Sequence, residues 1–142
     1  MHKAYISLGS NIGDRRRIML SAVALLNAEA GRVVRQSSLI ETEPWGFSSP
    51  NRFLNACVMV ETPLSPLQLL EATQAIERRL GREAKSKDGI YHDRPIDIDI
   101  LLYDDIKVDL PNLKIPHPLM FEREFVMKPL SEIFPEVTKI AK

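Results

Sequence analysis

The stretch RPIDIDILLYD, residues 94 to 104, combines the period of a β-strand with charges that strands disfavour. Alternation of apolar and polar side chains over this length is typical of a strand with one buried face. The two alternating sets are Ile96, Ile98, Ile100 and Leu102, and Asp97, Asp99, Leu101 and Tyr103. Aspartate is rare in strands, yet Asp97 and Asp99 share one face, with Cβ atoms about 6.6 Å apart. The pattern predicts a strand with an acidic pair on its second face.

The rest of the chain predicts strands and helices in a regular order. Ile18, Ala22 and Leu26 recur at helical spacing, and Ser65-Pro66 is typical of a helix start. The expected elements are a strand at 3–9, a helix at 14–30, strands at 33–42 and 53–62, a helix at 65–81, the strand described above, and, in a proline-rich tail, a short strand near 106–108 and a short helix near 119–122.

The first six elements run β-α-β-β-α-β, the order of the split βαβ, ferredoxin-like arrangement. We therefore expect an α+β fold, in which an antiparallel sheet has helices on one face and is followed by a C-terminal extension. The length of 142 residues suits a single domain, 1–142. Because this fold hosts many unrelated functions, it does not by itself name one.

Composition excludes several classes of partner. Nineteen Lys and Arg balance nineteen Asp and Glu, so no overall charge attracts nucleic acid or an anionic membrane. The N-terminus is too short and polar for a signal peptide, and no apolar run approaches the roughly 20 residues of a membrane span. The single cysteine, Cys57, lies in the apolar run NACVMV. It is predicted to be a buried thiol in a reducing cytoplasm.

Two interpretations of the acidic pair are open. If the isoleucines pack under the helices, Asp97 and Asp99 point to an open sheet face, where their repulsion costs some stability. A divalent cation would turn that repulsion into attraction. Mg²⁺ typically takes one or two carboxylates and completes its shell with water and substrate phosphates. Alternatively, both carboxylates are simply hydrated.

Polar and cationic side chains flank the predicted strand on both sides. Gln74 and Glu77 share a face of the second helix, and the segment 82–95 that follows has a length typical of a lid or a disordered loop. Each side chain alone is more often a hydrated surface group, but together the cations could surround phosphates held at the acidic pair. The further candidates are Arg82, Lys85, Tyr91 and Arg94 in this segment and Lys114, His117 and Arg123 beyond the strand.

The usual phosphate-binding motifs do not occur, since the sequence contains neither GxxxxGK[ST] nor GxGxxG. The LGSNIGD turn, residues 8–14, has the spacing of an ordinary strand-to-helix connection. Arg15, Arg16 and Arg17 follow it in the first helical turn, where the helix dipole disfavours cations. We expect these three arginines to be hydrated.

Longer motifs in the chain resemble one enzyme family. They are AYISLGSNIGDR, ETEPWG, FLNACV, TQAIERRLGR, DRPIDIDILLYD and IPHPLMFEREFVMKPL. In this order and spacing they resemble the 6-hydroxymethyl-7,8-dihydropterin pyrophosphokinases of folate biosynthesis over nearly the whole chain, and RxxDxDIL followed by PH is specific to that family. The resemblance implies Mg²⁺-dependent transfer of a pyrophosphoryl group from ATP to the pterin hydroxymethyl oxygen, with two Mg²⁺ ions and release of AMP. We expect a cytoplasmic monomer that acts on these small molecules and binds neither nucleic acid nor membrane.

The resemblance also implies roles for individual residues. Asp97 and Asp99 resemble the aspartates that bridge the metal ions, and Arg82 and Arg94 resemble the catalytic arginines that approach the phosphates. The positions that resemble ATP contacts are Gln74, Glu77, Lys85, Ile100, Lys114, His117 and Arg123. The positions that resemble pterin contacts are Thr42, Trp45, Phe53, Asn55, Tyr91 and Phe125. Ring stacking with a few edge hydrogen bonds is how an apolar pocket holds a flat heterocycle.

The segment after the second helix departs from the family's usual pattern of RxR followed by WGPR. Here residues 82–85 read REAK, so that Lys85 is the nearest substitute for the second arginine. Residues 91–94 read YHDR, so that Tyr91 replaces the tryptophan and offers less area for stacking.

Two other functions are compatible with the same order of elements. An RNA-binding module of this fold stacks bases on aromatic residues of its middle strands, but Asp97 and Asp99 would repel a phosphate chain. A palm-like nucleotidyltransferase also pairs aspartates around two metals, but it would release pyrophosphate rather than AMP.

Overall fold

A five-stranded antiparallel sheet organises the molecule. The structure, a computed structural model, describes residues 1–47, 49–81 and 93–140. The strands of this sheet are β1 (His2–Ser10), β2 (Arg32–Gln36), β3 (Ile40–Thr42), β4 (Phe53–Thr62) and β5 (Asp97–Tyr103). Their order is β2-β4-β1-β5, with β3 also paired to β4. The segment predicted as one strand at 33–42 is therefore two strands, β2 and β3, which pair with the same neighbour.

Two helices cover the first face of the sheet, as the sequence predicted. Asp14 caps α1 (Arg15–Glu29) by accepting a hydrogen bond from the backbone N–H of Arg17. Ser65 and Gln68 form a reciprocal capping box at the start of α2 (Pro66–Arg79). The buried apolar side chains under these helices include Ile6, Leu8, Met19, Leu26, Val58, Leu69, Ile76, Ile98 and Ile100. The ferredoxin-like α+β fold is confirmed.

The C-terminal extension adds a helix on the opposite face, which the sequence did not predict. This helix, α3 (Glu124–Ile133), contains Pro129 in its interior. Proline normally breaks a helix, which explains why the sequence pattern hid this one. The core between α3 and the sheet includes Cys57, Met59, Leu101, Val126, Leu130 and Ile133. The second face was expected to be open, but α3 covers one half and leaves the acidic half accessible.

The remaining elements of the extension are short. A hairpin of β6 (Val108–Leu110) and β7 (Leu113–Ile115) follows the sheet, where one short strand was expected near 106–108. A 3₁₀ helix at Met120–Glu122 matches the short helix expected near 119–122, and α4 (Val137–Ile140) ends the described chain. Among the described residues, no helix has the length and apolar character needed to cross a membrane.

A bulge in β5 breaks the alternation that identified this strand. β1 and β5 pair in step up to Ile100, and the ladder resumes out of step at Leu102, which leaves Leu101 as the extra residue. Tyr103 therefore joins the core under α1 and α2, whereas Leu102 joins the core under α3. The predicted faces of these two residues were wrong because a bulge shifts the pleat by one position.

Asp104 closes the turn after β5 and makes stability depend on pH. Its carboxylate accepts hydrogen bonds from the Lys3 backbone N–H at 2.8 Å and pairs with His2 Nδ1 at 2.7 Å. The hydrogen bond from Lys3, followed by that from His2, holds the pKa of Asp104 below its usual value. A carboxyl group with a lowered folded-state pKa stabilises the fold above its unfolded pKa of about 3.9 and loses that contribution as the pH falls.

We expect Asp104→Asn to be less stable than the wild type near pH 7, with a difference that shrinks as the pH falls below about 4. Asparagine tolerates the positive φ of 49° at this position, so the change tests the charge rather than the turn. Urea unfolding across this pH range measures the effect. The control Asp105→Asn removes the same charge from the next residue without removing either hydrogen bond. A difference that grows at low pH would contradict the prediction.

Candidate active site

The acidic pair lies on the half of the second sheet face that α3 leaves uncovered. Asp97 and Asp99 alternate along β5 with isoleucines of the first core, so both carboxylates point away from α1 and α2. Both side chains are partly exposed. Across the ladder on β1 they face Gly9 and Ser7. The structure thus brings the two carboxylates together on one accessible face, as predicted.

Arg94 lies directly beside this pair. Its Nη2 atom is 3.6 Å from Asp97 Oδ2. Its guanidinium carbon lies 4.9 Å from the centre of the Phe53 ring and 6.0 Å from that of Phe47. Aromatic faces attract a guanidinium through the ring quadrupole. Two aromatic rings and one carboxylate therefore hold the cation at the edge of the acidic site.

The backbone of Arg94 is fixed by a residue of the LGSNIGD turn. Its N–H donates to Asn11 Oδ1 at 2.7 Å, and the N–H of Asn11 donates back to the Arg94 carbonyl at 3.2 Å. Asn11 is only 2% exposed. The interpretation of this turn as an ordinary strand-to-helix connection was therefore incomplete.

A buried amide lies on the far side of β1 from the acidic pair. Asn55 on β4 is 4% exposed, and its Nδ2 donates to Thr42 Oγ1 on β3 at 2.5 Å. Gly9 lies between them in the sheet, because it pairs with both Asn55 and Asp97. A Cβ at Gly9 would lie 3.0 Å from Asn55 Oδ1. Because Gly9 has no side chain, it leaves the sheet surface between the amide and the acidic pair uncovered.

Aromatic side chains accompany the buried amide. Phe53 precedes it on the same face of β4 and packs edge-on against Phe47, with ring centres 6.2 Å apart. The guanidinium carbon of Arg123 lies 4.4 Å from the centre of the Trp45 ring and 5.6 Å from that of Phe125. Arg123 resembles an ATP contact, yet it packs against two residues that resemble pterin contacts. Its assignment to ATP remains a prediction.

A cleft of about 250 Å³ runs along the edge of β5. It lies between α2, β5, the β6–β7 hairpin and the turn that follows the hairpin. Its polar lining includes Gln74, Asp99, Lys114 and His117, and its apolar lining includes Leu70 and Ile100. Lys114 Nζ pairs with Asp109 Oδ1 at 2.5 Å, and the His117 N–H donates to the Leu101 carbonyl at 3.0 Å. The cleft gathers four predicted ATP contacts around one member of the acidic pair.

Sequence comparison decides among the functions compatible with this geometry. A model of the 7,8-dihydro-6-hydroxymethylpterin-pyrophosphokinase (HPPK) family matches residues 5–135. The chain belongs to this family.

Relatives from two bacteria and a plant support the HPPK assignment. A 2-amino-4-hydroxy-6-hydroxymethyldihydropteridine pyrophosphokinase from Porphyromonas gingivalis is 53% identical over 132 residues, which are 92% of this chain and 90% of that protein. An enzyme of the same name from Bacillus subtilis is 46% identical, over 97% of this chain and 81% of that protein. In a folate synthesis bifunctional protein from Arabidopsis thaliana, the similar region is 42% identical and takes up 23% of that chain.

Solved structures support the fold of this HPPK. An HPPK-DHPS A437G structure from Plasmodium falciparum matches with a TM-score of 0.73 and 18% identity, over 95% of this chain and 42% of that chain. At this identity the likeness shows the fold alone.

Glu77 has a structural role in this HPPK. Its side chain is 3% exposed, and Oε2 accepts a hydrogen bond from the Ile98 N–H at 2.7 Å. β5 is an edge strand of the sheet, so the backbone N–H and C=O groups on its outer side need hydrogen-bond partners from outside the sheet. Glu77 supplies one from α2. Its predicted contact with ATP is untested and stays a prediction.

Three residues of the predicted HPPK site, Arg82, Lys85 and Tyr91, lie outside the described residues. Of the segment 82–95, the structure describes Asp93, Arg94 and Pro95.

Other residues around the HPPK site were missed by the sequence reasoning. Asn11 and Asn51 both donate to the carboxylate of Asp93, at 2.6 and 3.0 Å. Arg15 was expected to be hydrated, but its Nη1 donates to the Arg52 carbonyl at 2.9 Å and pairs with Glu41 Oε1 at 3.3 Å. Their partners are distant in sequence, so no local pattern signals these contacts.

Proposed function

We propose that the uncovered half of the sheet face is where this HPPK transfers pyrophosphate from ATP to 6-hydroxymethyl-7,8-dihydropterin, releasing AMP. Asn55, Gly9 and Asp97 lie side by side on β4, β1 and β5, and this single row carries the proposal. Neighbouring strands are about 4.8 Å apart, so the backbone positions of Asn55 and Asp97 are about 10 Å apart. A two-ring heterocycle with a hydroxymethyl arm can span that distance.

The amide end of the row would hold the pterin. Asn55, which is buried, and Thr42, which is partly exposed, offer polar atoms to the ring edge. Phe53, Phe125 and Trp45 supply aromatic area near them. A buried amide rejects ring edges that cannot pair with it, because an unpaired buried polar group costs about 1–3 kcal/mol. This end therefore gives orientation as well as affinity.

The acidic end of the row continues into the cleft along β5, where ATP would bind. Asp99 belongs to both the acidic pair and the cleft lining. Lys114 and His117 line the same cleft and would contact the nucleotide phosphates, while Gln74 and Ile100 would contact the rest of the nucleotide. The two substrates would thus meet at Asp97 and Asp99. Positioning of this kind supplies much of the rate of a transfer between two bound molecules.

The donor set at the junction fits magnesium. Among the described residues, no group of three or more His, Cys, Asp or Glu could hold a metal, so two carboxylates would leave room for phosphate oxygens and water, as Mg²⁺ prefers. Asp97 and Asp99 would hold two Mg²⁺ ions, which would supply positive charge to offset the charge of the phosphate oxygens. Arg94 would add its charge from the other side of Asp97. Arg82, Lys85 and Tyr91 are proposed to complete the site.

ATP labelled in its phosphate groups tests the proposed reaction. With ATP labelled separately at the β and γ phosphorus, we expect both labels on the pterin product and unlabelled AMP. In the proposed arrangement, the β-phosphorus of a nucleotide bound in the cleft would face the pterin oxygen at the acidic pair, which is the reason for this expectation. Mass spectrometry of the product and chromatography of the nucleotides measure it. Transfer of the γ label alone with ADP formed, or release of free pyrophosphate, would refute the proposal.

We also propose the domain organisation, oligomeric state, cellular location and partners of the protein. Residues 1–142 form one pyrophosphokinase domain that works as a monomer in the cytoplasm, with ATP and the dihydropterin as its partners. Cys57 is a buried thiol, as predicted, and burial raises its pKa and keeps it unreactive. Light scattering of the pure protein measures the oligomeric state.

A further inference from the structure

Three residues from separate parts of the chain meet behind Arg94, and we call Asn11, Asn51 and Asp93 the clamp. Asp93 Oδ1 accepts from Asn11 Nδ2 at 2.6 Å, and Asp93 Oδ2 accepts from Asn51 Nδ2 at 3.0 Å. Asn11 Nδ2 also lies 3.4 Å from the Asn51 carbonyl. Each carboxylate oxygen thus binds a different loop, one after β1 and one before β4.

The clamp fixes the backbone on both sides of the Asp93–Arg94 bond. Asn11 uses its own backbone N–H and its side-chain oxygen on Arg94, and its side-chain nitrogen on Asp93. Because Asn11 is buried and its amide is fully used, it has one arrangement rather than several. The loop before β4 is itself held in place, since the Asn51 N–H donates to Ser49 Oγ at 3.1 Å.

The carboxylate of Asp93 stays charged in this arrangement. Burial raises its pKa, but the hydrogen bonds from Ser49, Asn11 and Asn51 and the nearby Arg94 charge outweigh that effect and hold the pKa below its usual value. Hydrogen bonds to an ionised acceptor are about twice as strong as neutral ones. The hydrogen bonds from Asn11 and Asn51 to the Asp93 carboxylate are therefore charge-assisted at neutral pH.

From these contacts we infer that Asp93 is a positioning residue of the transfer reaction, which acts by holding Arg94 beside Asp97 through Asn11 and Asn51. The inference rests on the proposed function of Arg94 at the phosphates. The side chain of Arg94 carries the charge, while the clamp fixes the position of the Arg94 backbone. If the guanidinium is already in position before ATP binds, no free energy is spent on ordering it during the reaction. Misplacement of a catalytic group by about 1 Å can cost on the order of 10²-fold in rate. Asp93 touches neither Asp97 nor Asp99 among the described contacts, so its effect passes through Arg94.

A double-mutant cycle tests this inference. Asp93→Ala should lower kcat by about 10-fold or more, with the KM values for ATP and pterin changed less than about threefold. Asp93→Asn keeps one acceptor oxygen and should fall between Asp93→Ala and the wild type. In the Arg94→Ala background, Asp93→Ala should lower kcat by less than about twofold, because the group that it positions is already gone. Asp105→Asn, on the exposed turn after β5, is the matched control and should turn over normally.

The outcomes separate this inference from the proposed function. If wild type forms AMP and pterin pyrophosphate but Asp93→Ala keeps its kcat within twofold, the clamp has no positioning role and the inference fails alone. An equal loss of kcat with and without Arg94 would also overturn it. If wild type fails to transfer pyrophosphate, the proposed function fails instead. Should Asp93→Ala not fold, Asn51→Ala removes the donor to Oδ2 from a partly exposed loop, and the same cycle with Arg94→Ala applies.

Discussion

Replacing either Asp97 or Asp99 with asparagine is expected to abolish most magnesium-dependent turnover while leaving the fold intact. Asparagine keeps the size of the side chain but loses the charge that would hold a metal ion, and a bound metal ion is worth several kcal/mol of transition-state charge stabilisation. At about 1.4 kcal/mol per tenfold, we expect kcat to fall on the order of 10³-fold. Initial rates at several Mg²⁺ concentrations measure the loss.

The two aspartate variants should differ in stability. Asp99→Asn removes a like-charge neighbour and should be neutral or stabilising by a few tenths of a kcal/mol. Asp97→Asn also removes the ion-pair partner of Arg94 at 3.6 Å, and we expect it to melt slightly below Asp99→Asn. Asp105→Asn again provides a control with the same chemical change on an exposed turn. Normal turnover by both site variants would place the metal elsewhere.

Replacing Arg94 with alanine is expected to lower kcat by about 10²–10³-fold, with the KM for ATP changed only a few-fold. Loss of one preorganised donor to a developing charge typically costs this much. The structure holds the guanidinium at Asp97 and over Phe53, beside the acidic pair rather than inside the cleft along β5. Its contact should therefore be stronger in the transition state than with bound ATP. Steady-state kinetics with nucleotide binding measured separately resolve the two effects.

Two further variants make the Arg94 result specific. Arg94→Lys keeps the charge but loses the planar fork and its stacking on Phe53, and should recover only part of the rate. Arg79→Ala removes an exposed arginine that pairs with Glu29, away from the sheet face, and serves as the matched control. If Arg94→Ala weakens ATP binding as much as it lowers the rate, Arg94 is a static nucleotide contact.

The elements that position the site could be predicted from local patterns. Alternation in residues 94–104 identified β5 and its acidic face, and Ser65-Pro66 identified the start of α2. Such patterns work because a strand or helix places its own side chains at fixed intervals, so each segment carries its own signal. The family motifs added the candidate residues, and the structure brings Asp97, Asp99 and Asn55 onto one face of the sheet, beside the cleft at the edge of β5.

Other features depend on segments meeting and have no local signature. Pro129 argued against α3, yet the apolar face of that helix packs on the sheet and outweighs the lost backbone hydrogen bond. The sequence alone predicts a hydrated surface position for Glu77, but this side chain is 3% exposed and its carboxylate accepts a hydrogen bond from the Ile98 N–H at the edge of β5. The bulge at Leu101 exchanged the sheet faces of Leu102 and Tyr103, although β5 had the clearest strand pattern in the sequence.

The sequence by itself determined the strand with its acidic pair, the order of elements around it and the family. Only the tertiary structure decided how the site is held together: which half of the sheet face stays open, and that Arg94 is fixed beside Asp97. Asn11 and Asp93 are 82 residues apart, and their hydrogen bond exists only because β1 and β5 are neighbours in the sheet. Local periodicity records which face a side chain takes, but the partner that it meets there is set by the pairing of distant strands.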